Sequence, residues 1–488
     1  MSAFPSSALG LPSSLQYSLP PSMSDSCRSY SVHVAPDGIT TVTGPVLTAT
    51  AFVANSTGQF GAFTNQVISF TLPSGMSDSV YMSPIDTTLS FTMSYTTTTA
   101  SSATAALLQL IGSGASWFDQ LVLYSNNTPV ETINQYGLLQ NFLLNNTVNQ
   151  AERIGGISVS MGADSSSMNG LNLGHTGTTT YRYNFSIPLL SVIGINGGDK
   201  LLPIGSLNNL QIQLTTANQH PIASYCTAVA TQPVFSTGVT LDNFSLNMKY
   251  IDVGDMASAM LRQTLQDGKW FIKACTYTNS AQQIPSGSTG ALQMLLQIRN
   301  SSVKSILHQF GIAPGAVCPN GYYDAIGINS SSRQLQVAGQ FYPNKPLDDV
   351  RSPAHAYCYL IQALGGSIPR ALGTVVDRNA YNAHIPSLYA GCDSTIVVPA
   401  AGLRAAAPGG DDYANTIIVK TPNMAYYGYD LEKVGGVLFS GINTRASPPF
   451  LNMYLAVAAT SNITLQAWGM SDLVLCVDVV SKQLTSFV

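Results

Sequence analysis

The stretch Thr88-Leu89-Ser90-Phe91-Thr92-Met93-Ser94-Tyr95 sets Leu, Phe, Met and Tyr on alternate positions with hydroxyls between them. Successive side chains of a β-strand point to opposite faces, so this pattern specifies a strand with one buried face and one wet face. Short runs of β-branched and aromatic residues, bounded by Gly, Pro, Asn and Ser, recur along the chain at the spacing of sandwiches or barrels. Strands are expected at 66–72, 88–96, 117–124, 181–188, 207–215 and 239–253, and again at 270–278, 291–299, 334–342, 416–420, 450–458 and 463–480. A chain of 488 residues exceeds what one hydrophobic core serves, so the pattern predicts a mainly β protein of two tandem sandwiches.

An internal repeat supports two like halves. Tyr124-Ser-Asn-Asn127-Thr-Pro129-Val130-Glu131-Thr-Ile133 matches Phe341-Tyr-Pro-Asn344-Lys-Pro346-Leu347-Asp348-Asp-Val350 at an offset of 217. A helical pattern follows each, at 135–144 and 352–364, and then a long Gly-, Ser- and Ala-rich loop, 146–179 and 365–414. Near the ends of the halves, Asp252 answers Asp478 at an offset of 226. The expected organisation is a Ser/Pro-rich arm over 1–30, a first domain over 31–254 and a second over 255–488, with the seam near 254–268. The arm and the C-terminal extension 481–488 are candidate ties between subunits, and the two long loops are candidate outer surfaces.

Composition narrows the function. Only 9% of residues are charged, against roughly 25% in an ordinary soluble protein, and the net charge is −4. Without a basic run, the counterion-release term that drives nucleic-acid binding is missing, so no direct genome binding is expected. A neutral surface rich in hydroxyls and amides suits a protein packed against copies of itself. No apolar run is long enough for a transmembrane helix, and 1–26 has neither the basic start nor the apolar core of a signal peptide. Cys27, Cys226, Cys275, Cys318, Cys358, Cys392 and Cys476 are odd in number and lack any C-x-x-C pair, which predicts reduced, mostly buried thiols and neither a disulfide framework nor a zinc site.

Each candidate for chemistry reads better as structure. Gly410-Asp411-Asp412 has the form of a polymerase magnesium hairpin but lacks apolar flanks, so a turn is expected. Asp119 and Glu131 could be proposed as a glycosidase pair, yet 24 acidic residues make such pairs common, and surface carboxylates are the better reading. His33, His175, His220, His308, His355 and His384 are isolated, and His355 near Cys358 reads as a packed helix face rather than a Cys–His nucleophile. Gly112, Gly114, Gly155 and Gly156 lack the strand-to-helix setting of a phosphate cradle. Sequons begin at Asn55, Asn126, Asn145, Asn184, Asn243, Asn300, Asn329 and Asn462; with no signal peptide in view, glycosylation through the secretory route is not expected. Trp117, Trp270 and Trp468 lie at or beside expected strands and read as core packing rather than a sugar platform. No catalytic, cofactor-binding or metal residue is therefore assigned.

Two sandwiches, each with a helix after a Pro-acidic strand end and one long loop, resemble the double jelly-roll major capsid proteins of double-stranded DNA viruses, of the polinton-like virus and virophage type. The resemblance spans nearly the whole chain. It rests on 117–125 with 129–136, on 341–346, and on Ser440-Gly-Ile-Asn-Thr444 leading to Met470-Ser-Asp-Leu-Val-Leu-Cys-Val-Asp478. It implies a non-enzymatic subunit without cofactor, made in the host cytoplasm or nucleus and resident in the virion. It also implies homotrimers of six jelly rolls forming an icosahedral shell, with penton and minor or cement proteins as further partners. The alternative is a carbohydrate-binding or adhesive tandem β-sandwich of a spike or cell surface.

Overall fold

The computed structural model describes residues 27–37, 47–48, 66–97, 106–149, 156–162, 170–173, 180–198, 200–217, 221–226, 235–263, 265, 267–312, 325–328, 330–349, 351–365, 397–398, 417–418, 425–432, 439–459 and 462–487. Eight strands build the first sandwich: β1 (Arg28–Val34), β2 (Val67–Thr71), β3 (Val80–Thr97), β4 (Phe118–Ser125), β5 (Thr128–Asn134), β6 (Thr180–Pro188), β7 (Leu210–Thr216) and β8 (Phe235–Asp252). One sheet runs β1-β8-β3-β6 and the facing sheet β2-β7-β4-β5.

Eight more build the second: β9 (Lys269–Ile284), β10 (Gly290–Leu295), β11 (Val303–Ile312), β12 (Ser330–Val337), β13 (Gln340–Leu347), β14 (Tyr426–Asp430), β15 (Phe450–Leu455) and β16 (Ile463–Asp478). Their order is β9-β16-β11-β14 and β10-β15-β12-β13, which is the first pair of sheets with eight added to every label. Eight antiparallel strands wound this way make a jelly roll, and the chain winds it twice. A small sheet of Gly170–Leu173, Ala106–Ile111 and Ile222–Cys226 is added beside the first sandwich.

Helix α1 (Tyr136–Thr147) follows β5, α2 (Asp255–Arg262) lies between the sandwiches, and α3 (Pro353–Ala363) follows β13, so the two expected helices are present within a few residues of their expected ends. Gly137 opens α1 because the helix presses on the 3-10 turn Gly114–Trp117. A Cβ there would meet Ala115 O at 2.7 Å and Ser116 Cα at 2.8 Å.

The alternation of β3 is used as expected. Leu89, Phe91, Met93 and Tyr95 are buried, and the ring of Phe91 lies 5.5, 5.2 and 5.6 Å from those of Phe118, Phe185 and Phe244. The Asp252/Asp478 match also holds in register. Arg28 pairs with Asp252 at one sandwich's β1–β8 edge as Lys269 pairs with Asp478 at the other's β9–β16 edge. Each aspartate then accepts from the next turn, from Gly254 N at 3.1 Å and from Val480 N at 2.9 Å.

Four expectations need correction. Ser125 pairs with Thr128 as Val337 pairs with Gln340, so Phe341 and not Pro346 stands where Pro129 does; the repeat is one of strand order, and its wording was out of register. The strand expected at 334–342 is a hairpin, turned at Ala338 (φ 49°) and Gly339 (φ 81°), and an Ala in a left-handed position gives no turn signal. The arm does not extend to residue 30, because Arg28, Ser29 and Tyr30 already pair in β1. The C-terminal extension is no free tie: β17 (Gln483–Phe487) pairs with Val474–Asp478 of β16 in the same chain.

Candidate functional site: the seam between the sandwiches

Side chains of α1 join the two sandwiches. From α1, Phe142 stacks edge-on against Tyr426 at 4.8 Å and Trp468 at 6.0 Å, and Asn145 Nδ2 donates to the Tyr426 hydroxyl at 2.7 Å. Trp468 Nε1 donates to Asn134 O at 3.4 Å. These contacts carry the first core into the second sandwich, where Tyr277, Leu307, Tyr426, Trp468, Leu473 and Leu475 join the same apolar cluster. The outer face of the second sandwich is therefore apolar and covered.

One carboxyl lies inside the seam. Glu131 of β5 accepts from Ser191 Oγ (2.6 Å), Val192 N (2.9 Å) and, across the seam, Thr276 Oγ1 of β9 (2.9 Å). Burial raises its pKa to about 6 even though those bonds favour the charged form. Cys275 alongside is pushed up to about 12, chiefly by burial and then by Glu131. β17 closes the lower part of the seam: Leu484 N donates to Ser125 Oγ (2.9 Å), Ser486 Oγ to Val130 O (2.6 Å), and Asn208 N to Lys482 O (3.1 Å).

A second buried cluster stiffens the second core. Arg333 of β12 donates to both oxygens of Asp349 at 2.8 and 2.9 Å, to the Tyr429 hydroxyl at 2.8 Å, and lies 4.0 Å from the centre of the Tyr427 ring. Its Nη1 also meets His308 Nε2 at 3.2 Å. A guanidinium can only donate, so Nε2 accepts and the imidazole is neutral; burial and then the Arg333 charge hold its pKa well below the usual value. His308 is thus not isolated, as the sequence suggested. Lys304 is similarly held between Glu432 (3.0 Å) and Asp472 (3.1 Å).

The outer face of the first sandwich is different in kind. Ser90 bonds Ser186 (3.2 Å), Thr92 bonds Asn184 (2.9 Å), Ser94 meets Thr240 (2.6 Å), Thr96 meets Thr180 (2.9 Å), and Asn247 donates to Ser90 (2.7 Å). This ladder of hydroxyls and amides crosses β6, β3 and β8, and a groove on it is lined by Ser90, Thr92, Asn184, Ser186 and Asn243 together with Val159 and Ser160 of the helical turn Ser158–Met161.

The residues weighed for chemistry do not converge. Glu131 pairs with Leu123, and Asp119 lies four positions along β4 from Leu123. At ~3.3 Å per residue that is ~13 Å, beyond the roughly 5–9.5 Å of a glycosidase pair. His355 lies against Tyr359 at 5.2 Å, and His33 bonds Asn247 at 2.6 Å. Trp117 fills the first core; Trp468 fills the seam rather than a sandwich interior, and Trp270 lies half-buried 6.5 Å from Tyr81.

Cys27, Cys275, Cys358 and Cys476 are free thiols: Cys476 is buried, Cys275 and Cys358 are half-buried and Cys27 is exposed, while Cys318, Cys392 and the side chain of Cys226 lie outside the described residues. Asn145 and Asn300 of the sequons are buried, and Asn126, Asn184, Asn243 and Asn462 are exposed. Gly410-Asp411-Asp412, His175, His220, His384, Asn55, Asn329, Gly155 and most of both long loops lie outside the described residues. Among the described residues no three His, Cys, Asp or Glu side chains group as a metal site, and no helix is long and apolar enough to cross a membrane.

Two sheets of order 1-8-3-6 and 2-7-4-5, repeated with a helix after the fifth strand, define the double jelly-roll fold. Solved structures of that fold align over nearly the whole chain. A chain of the Sputnik virophage, solved by cryo-EM, gives a TM-score of 0.56 at 11% identity, covering 100% of this chain and 93% of that one. The mavirus major capsid protein gives 0.51 at 11% identity, covering 100% and 95%. A chain of the PBCV-1 virus capsid gives 0.52 at 12% identity, covering 92% and 94%. No protein-family model and no curated protein matches the sequence.

Proposed function

We propose that this chain is a major capsid protein, a structural and non-catalytic subunit that self-assembles as homotrimers into the icosahedral shell of a DNA virus, with 28–254 and 255–488 as its two jelly rolls. The observation that carries the reading is the duplication itself: one winding repeated strand for strand and fused by an apolar seam into a rigid two-part block. Such a block suits tiling, because its charge-poor flanks lose little solvation of charge when covered. The likeness to the Sputnik virophage, mavirus and PBCV-1 capsid structures supports the same reading. Penton and minor or cement proteins are the further partners of such a shell, and the virion is its place.

Light scattering and electron microscopy of the purified protein test this. Stable trimers or spontaneous shells are expected. A monodisperse monomer that binds a glycan column would sink the reading in favour of an adhesive sandwich.

A further inference from the structure

We infer that Lys304 and Asp472 are poised to condense into an isopeptide bond, an autocatalytic cross-link between β11 and β16 in which Glu432 carries the protons.

Side chains from three segments meet there. Lys304 Nζ lies 3.1 Å from Asp472 Oδ1 and 3.0 Å from Glu432 Oε1. The backbone aims the lysine: Val303 pairs with Ser471 and Ser305 with Met470, so Lys304 is the extra residue of a β-bulge and stands outside the ladder. Bulges turn a side chain out of the regular alternation. The Lys304 side chain is 11% exposed and that of Asp472 1%, so amine and carboxyl meet nearly out of water.

Asp472 is gripped on its second oxygen as well. Oδ2 accepts from Ser302 Oγ at 2.9 Å and from Phe439 N at 2.8 Å. Ser302 Oγ is itself fixed by Gly441 N at 3.1 Å, and Phe439 delivers its N–H from a left-handed backbone, φ 58°. Glu432 Oε1 also accepts from Ser440 Oγ at 2.7 Å, which holds it beside the lysine. An ion pair needs only opposite charges. Two donors fixed on one carboxyl oxygen, with an amine and a second carboxylate at the other side, make the arrangement of an acyl-transfer centre.

The step balances without a co-reactant. Burial favours the neutral amine, but the bonds and charges of Glu432 and Asp472 outweigh it and raise the Lys304 pKa, so the resting pair is ionic. Reaction begins when one proton passes from Nζ to Oδ1, giving an amine and a carboxylic acid with no change of net charge. Nζ then attacks Cγ, and the charge that develops on Oδ2 meets the Ser302 hydroxyl and the Phe439 N–H. Glu432 takes a second proton from Nζ and delivers it to Oδ1; the Cγ–Oδ1 bond breaks and water leaves. One C–N bond has formed, one C–O bond has broken, and Glu432 is regenerated.

Denaturing mass spectrometry of the full chain, aged until its mass is constant, tests this. The expected mass is that of the sequence less one water, with a branched peptide joining Lys304 to Asp472 after digestion. Lys304→Arg is expected to keep the full mass. Asp472→Asn is expected to lose ammonia instead through the same bond, and Glu432→Gln to close more slowly by about a hundredfold. A parent of full mass overturns the inference, as does a deficit that persists in Lys304→Arg, which would place the lost water elsewhere. A Glu432→Gln chain that closes at the parent's rate overturns the proton-carrying role. These masses are read on single chains, so the coat reading stands or falls separately.

Discussion

Glu131 shows how a single side chain couples the seam to pH. Its carboxyl titrates near 4.5 in an unfolded chain and near 6 here, burial outweighing the bonds from Ser191, Val192, Thr276 and Asn196. The folded chain therefore holds the proton more tightly. Its contribution is full below pH 4.5 and fades as pH rises through about 6, by about 2 kcal/mol in all. Tyr136 and Cys275 face the same carboxyl and stay neutral across this range, both raised by burial. Glu131→Gln keeps an oxygen for Ser191 and Val192 and removes the titration. In thermal melts at about pH 5 and about pH 7.5 the variant is expected to lose less stability between the two than the parent, and to exceed the parent at the higher value. Equal pH slopes for the two proteins would rule the carboxyl out as the titrating group. The sequence reading weighed Glu131 as a partner of Asp119 and preferred a surface carboxylate; that preference is overturned, since only the fold shows Glu131 buried against Thr276. Arg333 carried no signal at all, since its partners Asp349, Tyr429 and His308 lie on three other segments.

Strands that alternate were legible; strands buried on both sides were not. β7 buries every second residue and residues 88–96 of β3 carry an alternating apolar face, and both were found from pattern alone, whereas β11 is buried from Val303 to Gly311 and carries Lys304, His308 and Gln309 inside. Those polar residues hide a strand until their partners are known. β14 was missed for the same reason, its tyrosines facing both the seam and the Arg333 cluster. β17 is the element whose role most departs from expectation. In the first sandwich, β3 itself covers the end of β8, Val80–Ser83 opposite Lys249–Asp252. In the second, β11 begins only opposite Ser471, and β17 fills the remaining edge at Val474–Asp478 while bonding Ser125 and Val130 of the first sandwich. Deleting 482–488 removes that clasp and the fully buried Leu484. Scanning calorimetry is expected to resolve two transitions in the shortened chain where the parent gives one, the second sandwich melting first. A single transition at the parent's temperature would show that β17 is dispensable.

At the scale of the molecule, low charge sets the terms of association. Five of the seven ion pairs among the described residues involve a side chain that is at least one-fifth exposed, and none bridges the α1 seam. Association between copies should therefore be nearly indifferent to salt, changing by less than about threefold between about 50 and about 500 mM NaCl in light scattering. A steep fall with salt would mean that charged rims, not hydroxyl and amide faces, hold copies together. The ladder has a thermal consequence too. Its hydroxyls already bond one another, so covering them strips little water from apolar surface, and association through that face should carry only a small heat-capacity change. The aromatic seam inside each block weakens on cooling, as apolar contacts do. A contact between blocks through the ladder would not, and an assembly built through it would keep nearly the same grip in the cold as in the warm.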